Sequence, residues 1–156
     1  MAGYDRLTPE GKKFYAEVDK LKDNEVFIGF QAGKTMHQDE NGKEVDVAEI
    51  AAFNELGTST MPSRPFLRQS VDDNKEKIAT MCERAAKNLA TGGTAEQGMK
   101  ELGVFGVKLV QDKIRNGSFA PLAESTIKAK GSDKPLIDSG QMRQSVHYVI
   151  RKKGSD

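Results

Sequence analysis

The sequence predicts an α+β protein: a small, mainly antiparallel sheet packed against a two-helix hairpin, with short flanking helices. Three observations lead there. Compact apolar runs at residues 25–30 and 145–151 have the length of strands. Between them, residues 71–91 and 95–115 carry apolar side chains at helical spacing and are separated by Gly92-Gly93. Residues 46–68 form a short capped helix, a glycine stop and an arm stiffened by two prolines. Sheet and helix pair each have one apolar face, and packing them together buries both.

Taken in order, Thr8-Pro9-Glu10 opens the first helix, with proline at its first position, where a missing N–H costs nothing. It runs to about Lys22, and Phe14, Val18 and Leu21 mark its apolar stripe. The strand over 25–30 follows Asp23-Asn24. Residues 31–45 are polar and rich in turn formers. Asn41-Gly42 is a tight-turn signal, so a flexible loop that closes into a hairpin on contact is expected there.

Asp46 caps the next helix, and Glu49 stands at the capping-box spacing. Val47, Ile50, Ala51 and Asn54 share one face, with Phe53 and Leu56 beside it. Gly57 sits where a left-handed C-cap is usual. Pro62 and Pro65 fix φ and push the residues before them into extended conformations, so 58–68 is expected to be an extended arm.

Ser70 with Asp73 repeats the capping-box spacing ahead of 71–91, whose apolar set is Val71, Ile78, Met81, Cys82, Ala85 and Leu89. Thr94 with Gln97 does so ahead of 95–115, which stops at Asn116-Gly117. Gly98, Gly103 and Gly106 each weaken that helix by about 1 kcal/mol relative to alanine. A helix tolerates them where another backbone must come close. A short helix around 122–130, the turn Gly131-Ser132-Asp133 and a single turn after Ser139 lead to the last strand. There Val146, Tyr148 and Ile150 alternate with His147, Val149 and Arg151, and the strand over 26–30 is its expected partner.

At 156 residues the chain is one domain by length. It is polar, with 37% hydrophobic and 30% charged residues, so some apolar surface is expected to find its cover only in an assembly. No 18-residue apolar run exists to span a membrane. The polar N-terminal stretch gives no expectation of a signal peptide. Cys82 is the single cysteine, which rules out an internal disulfide and suits synthesis in a reducing cytoplasm. The net charge is +1, and a dedicated nucleic-acid binder would carry a larger basic excess. The charge is uneven, however. Residues 1–73 hold 9 Lys/Arg against 14 Asp/Glu, and residues 100–156 hold 11 against 6.

Catalytic and metal chemistry find little to work with. His37 and His147 stand 110 positions apart with no cysteine or carboxylate at ligand spacing. Asp72-Asp73 fits the first turn of a helix, where negative charge suits the dipole. Asp138-Ser139-Gly140 lacks the surrounding Gly-x-Ser-x-Gly pattern. No catalytic residue, metal or cofactor is therefore expected.

Two blocks carry a family resemblance. Asn54-Glu55-Leu56-Gly57-Thr58, followed by Met61-Pro62-Ser63-Arg64-Pro65-Phe66-Leu67-Arg68, resembles the signature of neck and tail-completion proteins of long-tailed bacteriophages. Their pattern is a helix ending in N-E-(apolar)-G-T, then P-x-R-P-F. The second block is Phe119-Ala120-Pro121-Leu122, then Ser125-Thr126-Ile127-Lys128, then Pro135-Leu136-Ile137-Asp138-Ser139-Gly140-Gln141-Met142. Phe119 stands where tryptophan is common in those families. With the strands beside them, the matches run from about residue 25 to 150.

The resemblance implies a structural virion protein, made in the bacterial host cytoplasm and built into a homo-oligomeric ring at the head–tail junction. Such a ring joins neighbouring neck, portal-adaptor and tail-tube or terminator proteins and leaves a channel for DNA, without sequence recognition and without a membrane. A tail-terminator ring capping the tube is the near alternative. A cytoplasmic nucleic-acid-binding module using the basic last third is the alternative of another class.

In a ring, Pro62, Arg64, Pro65, Phe66, Leu67 and Arg68 are expected to dock on a neighbour, with Phe66 as anchor, because an aromatic on a pre-extended arm loses little entropy. The other reading pins the arm to its own core through Phe66 and Leu67. Glu44, Glu49 and Glu55 are the candidate acidic contacts, and Lys108, Lys113 and Arg115 the basic ones. The alternative is that these charges are neutralised within each subunit. Arg151, Lys152 and Lys153 are either DNA-phosphate contacts or a solvated end.

Overall fold

The structure, a computed structural model, describes residues 6–39, 41–119 and 140–155. The helix expected at 122–130, the turn at 131–133 and the cap at Ser139 lie outside the described residues, as does most of the second motif block. The class is α+β. The elements run α1 (Pro9–Asp23), β1 (Asn24–Gly29), β2 (Met36–Gln38), β3 (Glu44–Asp46), α2 (Val47–Leu56), α3 (Phe66–Asp72), α4 (Lys75–Ala90), α5 (Ala95–Asn116), α6 (Gln141–Gln144) and β4 (His147–Lys152). The strands form two sheets of two, β1 with β4, the expected pair, and β2 with β3.

The chain divides into two compact units. The first draws on Met1–Phe27, Lys75–Gly106 and Tyr148–Asp156, and the second on Ile28–Asn74 and Val107–His147.

In the first unit, Thr8 caps α1 as expected, its hydroxyl accepting the Gly11 N–H at 3.1 Å. α1 packs on α4. α1 also fastens the turn between α4 and α5. Lys13 donates to the Gly92 carbonyl at 3.1 Å, and the Glu17 carboxylate accepts the Ala95 N–H at 2.8 Å. Thr94 caps α5 through the Gln97 N–H. Gly98 lets the α4 chain come close at Ala85, as expected, while Gly103 admits a side chain instead. A Cβ at Gly98 would lie 3.0 Å from that of Ala85, and one at Gly103 would run into the Tyr148 ring of β4. Among the described residues of this unit, Leu89, Ala95 and Met99 are the buried apolar ones.

In the second unit, β2 and β3 pair antiparallel, with His37 opposite Val45. The Asp39 carboxylate accepts the N–H groups of Asn41 and Lys43, both at 2.9 Å. The described residues of the expected loop form a hairpin. Val47, Ala51, Phe66, Val110, Ile114, Met142 and Val146 form the core, with Ile28, Phe30, Ile50, Leu67, Val107 and Phe119 against it. Phe30 meets Phe66 edge to face at 5.9 Å.

Two boundaries differ from the sequence expectation. The extended arm stops at Pro65, because α3 begins at Phe66. Ser70 does not cap a long helix either. It is fully buried in α3, and its hydroxyl donates to the Leu67 carbonyl at 2.6 Å. Asp72 and Asp73 consequently end α3 instead of opening the next helix.

Candidate functional site

The 46–68 segment is an interlock between α2 and α3. At its start, the Asp46 carboxylate accepts the Ala48 N–H at 3.0 Å and the Gly33 N–H at 2.7 Å. At its end, the α2 carbonyls are taken in succession. The Phe53 carbonyl accepts the Gly57 N–H at 2.8 Å, and the Asn54 carbonyl accepts the Arg64 N–H at 2.6 Å. The Glu55 carbonyl accepts the Ser63 hydroxyl at 2.7 Å. Gly57 has φ +75°, and a Cβ there would lie 2.8 Å from the Ser63 nitrogen, so only glycine fits.

The Glu55 side chain completes the lock. Its two oxygens accept the N–H groups of Leu67 at 2.8 Å and Arg68 at 3.1 Å. A carboxylate from α2 thus caps α3, twelve residues further on. Negative charge at a helix N-terminus satisfies free N–H groups and suits the dipole.

This geometry corrects the interface expectation. Phe66 is fully buried in the core of its own unit, and Arg64 is only 4% exposed. Burial lowers the Arg64 pKa by disfavouring its charge. Pro65 and Leu67 are half-buried, which leaves Pro62 and Arg68 exposed. The segment folds back because α2's terminal carbonyls and Glu55 supply partners for its backbone. Two charged candidates are also used internally: Glu55 in the cap, and Lys113 in an ion pair with Asp73. Glu44, Glu49, Lys108 and Arg115 are exposed, as are Arg151, Lys152 and Lys153.

Two large apolar side chains of α2 that face outward were not singled out by the sequence. Leu56 is 78% exposed and Phe53 43% exposed. The signal was present: both lie off the Val47, Ile50, Ala51 face that enters the core. Glu17 was not singled out either. It falls among Phe14, Val18 and Leu21 on the apolar stripe of α1, and it is buried. The Ala95 N–H, followed by Lys20, holds its carboxyl below the ordinary carboxylate range, against the opposing effect of burial.

A cavity of about 340 Å³ opens in the second unit beside Phe30, Lys34, Val47 and His147. The His147 ring lies 3.4 Å from the Ser145 carbonyl. His37 bonds Gln141, whose amide donates to the Met36 carbonyl at 2.8 Å, so this histidine ties the hairpin to α6. Among the described residues no group of three or more His, Cys, Asp or Glu gathers as a metal site. Among them, too, no helix is long and apolar enough to cross a membrane. No protein-family model matches the chain, and no curated protein or solved structure matches it.

Proposed function

We propose that this chain is a structural subunit of a tailed-phage neck, forming a ring that joins head to tail and leaves a passage for DNA. The observation that carries the reading is Leu56, 78% exposed at the end of a helix whose terminal carbonyls are hydrogen-bonded to the arm. A large apolar side chain held outward on a fixed support suits contact with a neighbour, because little freedom remains to be lost on docking. Leu56 lies inside the block that resembles neck and tail-completion proteins, so the resemblance and the exposed surface fall on the same residues. The interface role moves from the buried Phe66 to the residues the interlock presents. Exposed Arg151, Lys152 and Lys153 offer charge to a DNA backbone by a contact that carries no sequence information.

The test is location. Imaging of purified particles with the chain labelled should place it in a ring at the head–tail junction. Particles that assemble complete without the chain would overturn the reading.

A further inference from the structure

We propose that the outward face of α2 docks on the outward face of α5 in a second copy of this chain. This contact rests on the ring reading above and names the surfaces that would build the ring. On α2, Glu49, Ala52, Phe53 and Leu56 lie within one arc of the helix, and all four are exposed. α2 has no basic residue. On α5, Lys100, Val104, Lys108 and Arg115 share one face, and all four are exposed; Glu96 and Asp112, also exposed, close the two ends of the same row, so the free cations beside Val104 are Lys108 and Arg115. Val104 is 60% exposed, an apolar side chain between Lys100 and Lys108.

The two strips complement each other in apolar content and, at Glu49 and Lys108, in sign. One carries a carboxylate beside Phe53 and Leu56, and the other carries cations beside Val104. Their spacing also agrees. Glu49 lies four to seven positions from Phe53 and Leu56, about 6–10 Å along the helix, and Lys108 lies about 6 Å from Val104. Seating Phe53 and Leu56 on Val104 therefore brings Glu49 within reach of the flexible Lys108 side chain. Among the described residues, Glu49, Lys108 and Arg115 form no ion pair within the chain, while Lys100 pairs with Glu96. Their charges remain for a partner.

A second copy is the fitting occupant. A DNA backbone gains nothing from an exposed valine at the centre of the strip, and the carboxylates of α2 repel it. The two faces differ, so the contact is heterologous, the kind that closes into a ring when the rotation allows. Leu56 is also preorganised, since Gly57, Ser63 and Arg64 hold the helix end beneath it.

Sedimentation of the full chain over a concentration series tests the contact, with thermal melts by circular dichroism as the folding control. Leu56→Glu and Val104→Glu should each weaken self-association by roughly tenfold or more, as expected for a central apolar contact, and melt like the parent. Glu49→Lys and Lys108→Glu should each weaken it, and the double exchange should recover most of the loss. A chain that stays monomeric at every concentration overturns the proposal. So does association indifferent to Val104→Glu, which would seat Leu56 elsewhere, or a double exchange no better than its singles. Salt-sensitive DNA binding lost in Lys108→Glu, with self-association unchanged, would assign the α5 strip to nucleic acid instead. The ring reading is judged separately. Association through these faces in a chain absent from particles removes the virion role and keeps the contact. A particle ring that forms with both Leu56→Glu and Val104→Glu does the reverse.

Discussion

The two units are held together by different means. The second is built on side-chain packing, seven buried apolar residues in one cluster around Phe66. The first buries only Leu89, Ala95 and Met99 among its described apolar side chains. It relies more on a buried carboxylate at the start of α5 and on glycines that let Ala85 and Tyr148 come close. Each unit also contains a glutamate that caps a helix far from it in sequence: Glu17 for α5, Glu55 for α3. The contrast is instructive, since the half-buried Glu55 belongs to the unit with the larger apolar cluster and the buried Glu17 to the unit with little apolar burial.

The sharpest way to break the comparison is through the core of the second unit. Phe66→Ala should cost about 3–5 kcal/mol, the usual range for emptying a fully buried aromatic site. Chemical denaturation of the monomer measures it. A small loss would mean that the core does not depend on Phe66, and that the arm's outward reading deserves revival. Gly57→Ala should follow, at about 1–3 kcal/mol, because φ +75° disfavours a side chain and the Ser63 nitrogen occupies its place. The interlock would then loosen, and hydrogen exchange should rise at Arg64, Leu67 and Arg68, whose N–H groups it protects.

In the first unit, Gly103→Ala should cost about 1–3 kcal/mol, the range for overpacking, by displacing the Tyr148 ring. Near-ultraviolet circular dichroism or tyrosine fluorescence should register that displacement. An unchanged melt would show that β4 yields easily, and would weaken the case that close approach at glycine holds this unit. Glu55→Gln should cost less, about 1 kcal/mol, since glutamine still accepts a hydrogen bond but loses the charge facing two N–H groups.

What the sequence made legible was local. Thr8, Asp46 and Thr94 cap their helices, and Gly57 ends α2 with a positive φ, because each acts on groups within three or four residues. What it hid was non-local. Pro62 and Pro65 argued for extended chain through to Arg68, yet α3 starts at once after Pro65, with its cap supplied by Glu55 from another helix. Ser70 and Asp73 had capping-box spacing but lie at the end of α3, where the spacing has no free N–H groups to serve. The burial of Phe66 is a tertiary fact that no local pattern contains. The exposure of Leu56 was closer to hand, since the helical wheel sets it apart from the buried face, but an apolar residue beside an apolar face invites assignment to the core.

The smallest expected effect is also the one that isolates charge in the first unit. Glu17 accepts the Ala95 N–H and pairs with Lys20, and both favour its ionised form, so its folded-state pKa lies below the ordinary carboxylate range. A carboxyl with a depressed pKa lends stability that is fully present above its unfolded value. That stability fades as the pH falls through the unfolded value to the folded one. Glu17→Gln keeps an acceptor for Ala95 and removes the charge. Thermal melts of parent and variant should therefore differ at neutral pH, and the difference should shrink on acidification below the ordinary carboxylate range. Glu96 is depressed in the same direction by Lys100, so Glu96→Gln belongs beside it as the exposed control. A gap between parent and Glu17→Gln that stays constant with pH would mean that Glu17 acts through shape alone. The first unit would then resemble the second more than its sparse core suggests. A gap that closes in acid would instead establish the buried carboxylate as a charged cap, doing for α5 part of what packing around Phe66 does for α3.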